Sequence, residues 1–267
     1  MGFFLYLSVL AWIRHIGTFQ ILALLAAPAL ICALSALESA HTAPWSRVVR
    51  DWLSIGLILA AYWSIGWFAA PPLVAWQEMW LGWDRALLDT WGLRAAIEST
   101  GRALPSVLEI TYLLLYAMPC LCLLAIYRVG GRERVHAFLF TLLLGTLTAY
   151  ALLPLFPVHG PHVVYPALDL PQVAAIARPL NVWILDHMDM PTSVFPSGHV
   201  AVAFSAAFGM LRAVRSRPAM WATAFAFAGL VYTATIYCRY HYVVDGLTSI
   251  GIATLAWLAS GRGGDVS

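Results

Sequence analysis

The chain of 267 residues contains no lysine; all 15 of its basic residues are arginine. Charged residues make up only 10% of it, against about 25% in a soluble domain, while 61% is hydrophobic. A soluble globular fold is therefore excluded. A net charge of +2 supplies no basic surface, and no nucleic-acid partner is expected. Cysteine is scarce too. Cys32, Cys120, Cys122 and Cys238 all lie in or at the edge of apolar runs. They read as small packing residues, not as disulfides or metal ligands. The first residues carry neither an early positive charge nor a small-residue cleavage site, so no cleaved signal peptide is expected. There is no His-Glu-x-x-His and no second cluster of carboxylates. No metal and no cofactor are expected.

Long apolar runs are what the chain does have. Phe3–Ile13 is apolar but too short to cross a bilayer, and Arg14 and His15 interrupt it. It reads as an interfacial piece or an extension of the next helix. Gly17–Leu37 is uncharged throughout and long enough for a hydrocarbon core of about 30 Å. Further spans are predicted at Leu53–Val74, Ser106–Tyr127, Ala137–Phe156, Ser197–Arg212, Ala219–Cys238 and Tyr242–Ser260. Ser106 and Glu109 are spaced as a capping box opening the third span. The fifth is short between charges, so Arg212 is expected to snorkel. The predicted fold class is all-α, a polytopic transmembrane bundle with a six-helix core at 52–260 and one extra span in an N-terminal segment, 1–51.

Seven spans alternate the connections between two sides. One side holds nine arginines (Arg47, Arg50, Arg128, Arg132, Arg134, Arg212, Arg215, Arg217, Arg262) against four acids; the other holds six arginines against nine acids. The arginine-rich side is cytoplasmic by the positive-inside rule. Two long connections fall on the other side. In 75–104, Trp76, Trp80, Trp83, Leu87 and Trp91 share a helical face, as in an interfacial helix or a lid packed on the bundle. In 157–196, Val173–Ala177 and Val182–Asp186 are candidate short helices around Pro179, in a loop too long to be without structure or function.

Two motifs open on that same outer side. Phe195-Pro196-Ser197-Gly198-His199 stands at the start of an apolar helix. A helix start offers unpaired N–H groups and a positive dipole end, suited to an anion. Gly198 admits close approach and Ser197 adds a hydroxyl. His241-Tyr242-Val243-Val244-Asp245 stands at the next such junction, and Asp245 lies four residues from the imidazole it could hold. Together they form a plausible set for phosphoryl transfer. A neutral His241 attacks phosphorus, Asp245 fixes its tautomer, and His199 protonates the leaving alkoxide. A His–Asp pair alone is commonly structural, and two histidines with an aspartate are also a zinc donor set. The coincidence of both motifs on one side favours function. A transporter or channel would need ionisable groups through the bilayer, and most spans have none.

Pro196-Ser197-Gly198-His199 followed by His241-x-x-x-Asp245 resembles the second and third signature motifs of the type-2 phosphatidic acid phosphatase superfamily. The resemblance implies a helical-bundle phosphatase or phosphotransferase, with His241 the nucleophile, His199 the acid/base and Asp245 its partner. Two departures stand out. The family's first motif, a lysine followed by Arg-Pro, is missing; the corresponding stretch runs from Tyr150 through Pro154, Phe156, Pro157, His159, Gly160, Pro161 and His162. The Ser-Arg that opens the third motif is replaced by Ala234 and Thr235. Thr235-x-Tyr237-x-x-x-His241-Tyr242-x-x-Asp245 is similar to the inositol phosphorylceramide synthase branch, which transfers a phospho-headgroup between lipids. Ser197, Gly198, Arg239 and His159 are the expected phosphate-binding residues, ahead of Arg178 and His162. The expectation is an integral-membrane lipid phosphatase or phosphotransferase, with its site on the outer face of the plasma (inner cell) membrane. The alternatives are headgroup transfer in place of hydrolysis, and a catalytically inactive relative.

Overall fold

The computed structural model describes residues 1–39, 45–164, 170–190 and 192–261. Arg262 and Asp265 of the charge tally lie outside them. Thirteen α-helices follow one another among the described residues: α1 (Gly2–Ile13), α2 (Thr18–Ser39), α3 (Trp45–Ile65), α4 (Val74–Arg85), α5 (Leu93–Glu98), α6 (Ala103–Leu114), α7 (Met118–Val129), α8 (Arg132–Leu152), α9 (Pro161–Val164), α10 (Arg178–Met188), α11 (Gly198–Ala213), α12 (Pro218–Tyr237) and α13 (Val243–Ser260). The fold is an all-α polytopic bundle. Six stretches are long and apolar enough to cross a membrane: Thr18–Leu37, Trp45–Phe68, Ala103–Val129, Arg132–Leu155, Pro218–Tyr237 and Val243–Ser260. The third joins α6 to α7 through a 3₁₀ turn at Leu115–Ala117.

The remaining predicted span is α11, whose 16 residues extend only about 24 Å at the helical rise. It is the most enclosed helix, packed on α8, α12 and α13. Its alanines, glycines and Ser205 let the backbones come close, as interfaces between membrane helices require. A Cβ on Gly145 of α8 would stand 2.1 Å from Ser205 Oγ, and one on Gly209 would stand 3.0 Å from the Phe138 carbonyl. Arg212, at the far end of α11, donates to the Trp257 carbonyl of α13 at 2.7 Å, supplying a cation to a helix C-terminus.

Three readings of local structure change. Phe3–Ile13 does not extend the next helix: it is a separate helix, α1, folded back on α2 and packed against α8. Tyr6 Oη donates to the Ala151 carbonyl at 2.9 Å. Arg14 donates to the carbonyls of Phe68 (3.1 Å) and Pro154 (3.2 Å), closing the ends of two spans at the end of the bundle that carries both histidine motifs. Ser106 and Glu109 are not a cap. The helix begins at Ala103, and both residues face inward from its body. In the loop before α11, Val173–Ala177 is not helical, and the helix there starts at Arg178 with Pro179 in its first turn. Pro fits there because the first-turn N–H groups have no helical partner.

Candidate active site

The site forms where the α12–α13 turn meets the start of α11. Helix α12 ends at Tyr237, and Arg239 takes a left-handed conformation with φ 66°. The Thr235 carbonyl then accepts the N–H of both Tyr240 (3.0 Å) and His241 (3.1 Å). This tight turn lifts His241 off the helix before α13 restarts at Val243. His241 and Asp245 therefore meet across a helix start and not along one helix face. Asp245 Oδ2 accepts the Tyr242 N–H at 2.9 Å and lies 3.4 Å from His241 Nδ1. The Asp245 carbonyl accepts the Ser197 N–H at 3.2 Å, and Ser249 Oγ donates to the Ser197 carbonyl at 2.8 Å. These bonds tie the two motifs together.

His199 Nδ1 lies 3.1 Å from His241 Nε2. The direction of that bond follows from the other side of the ring. His241 Nδ1 is 3.1 Å from the Val194 carbonyl, which can only accept, so Nδ1 carries the hydrogen. His241 Nε2 is left with its lone pair, and His199 Nδ1 is the donor. Burial pushes His241 down to about 4, partly offset by the Val194 carbonyl. The imidazole is neutral at physiological pH. On its other edge, His199 Nε2 lies 3.1 Å from Tyr112 Oη and 3.2 Å from Tyr116 Oη.

Ser197 caps α11, its hydroxyl accepting the Val200 N–H at 3.3 Å. The first helical bond runs from Ala201 N to the Ser197 carbonyl, so the N–H groups of Gly198 and His199 precede it. A Cβ on Gly198 would stand 2.9 Å from Tyr150 Cε1, which is why glycine is needed at this close approach.

Two predicted phosphate ligands are held by groups that sequence reasoning missed. Arg239 is fully buried and donates through Nη1 to Asp84 Oδ2 at 2.9 Å. Its Nε and Nη2 have no partner among the described residues. Asp84 Oδ1 also accepts the Val243 N–H at 3.0 Å, at the start of α13. The backbone N–H of His159 donates to Gln77 Oε1 at 2.9 Å. Of the lower-ranked candidates, Arg178 pairs with buried Glu109 at 3.3 Å, a carboxylate that also receives Asn181 Nδ2 (2.7 Å) and Tyr240 Oη (2.8 Å). His162 donates its N–H to the Arg239 carbonyl at 3.0 Å. Burial and the neighbouring His241 push His162 down to about 4.

Helix α4 covers this end as a packed lid. Trp80 is buried with ring centroids 4.9 Å from Phe195 and 5.8 Å from Tyr242. Trp83 and Trp91 are exposed. Trp76 is exposed as well, so of the predicted tryptophan face only Trp80 is buried. The buried stripe of α4 is instead Gln77, Trp80, Leu81 and Asp84.

The family model of the PAP2 superfamily matches residues 77–259. No curated protein and no solved structure matches the chain. The matched stretch holds both histidine motifs and every group described above, from Gln77 to Ser249, and it covers well over half of the sequence: the chain belongs to the PAP2 superfamily.

Proposed function

We propose that this protein is a phosphohistidine enzyme of the membrane, acting on a lipid phosphate or phosphodiester. The observation that carries the reading is the lone pair of His241 Nε2, fixed by the Val194 carbonyl and Asp245 and pointed at a second histidine. The direct bond between the rings is a resting contact that the phosphoryl group displaces when it enters between them. His241 Nε2 then attacks phosphorus, and His199 Nδ1–H passes its proton to the leaving oxygen. Asp245 stabilises the imidazolium that forms. The N–H groups of Gly198 and His199, the Ser197 hydroxyl, the free donors of Arg239 and the His159 ring serve the phosphoryl oxygens.

Water or a second alcohol completes the reaction. Transfer to an alcohol is the alternative to hydrolysis, suggested by the Thr235–Asp245 pattern alone. The distribution of arginines supports a site on the outer face of the plasma membrane. Residues 1–51 would then be an addition to a catalytic core at 52–260. The test uses the purified full chain in mixed micelles with phosphatidic acid or phosphatidylinositol, chelator present, with and without ceramide. Release of diacylglycerol supports the proposal, and a new ceramide phosphodiester assigns transfer. No turnover of either lipid, or turnover only after zinc or magnesium is restored, contradicts it.

A further inference from the structure

His241 has a carboxylate behind it; among the described residues His199 has none. Apart from His241, the polar partners of His199 among the described residues are the hydroxyls of Tyr112 and Tyr116, both on Nε2. They stand one turn apart on the span formed by α6 and α7, Tyr116 lying in the 3₁₀ turn between the two helices. The two phenols are held differently. Tyr112 is fully buried, with its ring stacked 4.8 Å from His199 and tilted against Tyr240 at 4.5 Å, whose own hydroxyl is anchored on Glu109. Tyr116 is 44% exposed and meets His199 edge-on at 5.8 Å. A phenol both donates and accepts, and it does not ionise near neutrality. It can donate to Nε2 when the ring is neutral and accept from Nε2–H when the ring is charged.

We propose that Tyr112 and Tyr116 are positioning residues for His199, holding Nε2 so that the proton leaving and returning during phosphoryl transfer is always the one on Nδ1. This rests on His199 being the acid/base of the proposed reaction. His199 enters as the imidazolium, with Nε2–H donated to a phenol oxygen. As the bond from His241 Nε2 to phosphorus forms and the bond from phosphorus to the leaving oxygen breaks, Nδ1–H moves to that oxygen. The ring is left neutral, its remaining hydrogen on Nε2. In the second half Nδ1 takes a proton from the attacking water or alcohol as the nitrogen–phosphorus bond breaks, and the imidazolium returns. Neither phenol gains or loses a proton, and the imidazole never has to turn over.

The test compares Tyr112→Phe, Tyr116→Phe and the double variant, which keep both rings. The probes are phosphatidic acid, whose leaving alkoxide needs a proton, and 4-nitrophenyl phosphate, whose leaving group does not. Each single variant is expected to lose about tenfold in kcat on phosphatidic acid, and the double variant about 100-fold. With 4-nitrophenyl phosphate the double variant should keep a first-turnover burst and accumulate phosphoenzyme, because only its second half needs the Nδ1 base. Equal losses on both probes without accumulated phosphoenzyme overturn the proposal, as does a double variant with wild-type kinetics. If Tyr112→Phe does not fold, Tyr116→Phe at its exposed position carries the same comparison. A wild-type protein that turns over neither probe and forms no phosphoenzyme overturns the parent reading, and this proposal with it. Wild-type turnover with unaffected variants overturns this proposal alone.

Discussion

His241 carries a prediction that its burial makes quantitative. In the proposed reaction its neutral form is the nucleophile, and burial holds it near 4, well below the ordinary imidazole value of about 6.5. Above about 4 the lone pair on Nε2 is available; below it the ring is protonated and cannot attack. The acid limb of kcat/KM should therefore fall about tenfold per pH unit only below pH ~4, with no loss from this group between 6.5 and 4. A pH profile with its acid limb centred near 6.5 would contradict the buried nucleophile. At this scale the motif residues were legible because each motif is local in sequence. Ser197, Gly198 and His199 open one helix, and His241 and Asp245 flank the start of another. Their partners were not legible. The Val194 carbonyl has no side-chain signature. Tyr112 and Tyr116 read as two aromatics of an apolar span until the fold brings them to His199.

Among the elements, α4 departs furthest from its sequence reading. Counting tryptophans placed its face one strip away from the one that packs, because two members of the true buried stripe, Gln77 and Asp84, are polar. An apolar period cannot reveal a stripe whose polar residues are satisfied by distant backbone and by an arginine from another helix end. The Asp84–Arg239 pair is buried on both sides. Removing one partner strands a charge, and the same carboxylate also caps the start of α13 through Val243. Asp84→Ala should therefore cost about 3–5 kcal/mol in denaturation of the micellar protein. Adding Arg239→Met to it should recover much of that loss. A change of less than about 1 kcal/mol for Asp84→Ala would show that the pair does not hold the lid. The Ser106–Glu109 pattern misled for a related reason. Its spacing is that of a capping box, but Glu109 is consumed by Arg178, Asn181 and Tyr240 inside the bundle.

The whole molecule is a bundle whose two ends differ in charge, and that difference was legible in composition alone. Arginine count needs no contact information, only the alternation of spans. Span number was less legible, since α11 and α1 are both apolar helices shorter than a bilayer core. With α11 taken as a crossing helix, the same count leads us to expect the site on the outer face. After replacement of the native cysteines, Ser99→Cys in the α5–α6 turn should react with an impermeant thiol reagent on intact cells. Ser216→Cys, between α11 and α12, should react only after permeabilisation. The reverse pattern would put the site on the cytoplasmic leaflet. The most direct measurement is of the covalent intermediate. The purified protein is mixed with ³²P-labelled 4-nitrophenyl phosphate, quenched in alkali, where phosphohistidine survives, and the labelled peptide is sequenced. Label is expected on His241, absent from His241→Ala and lost on acid treatment. Label on another residue, or turnover by His241→Ala, would contradict it.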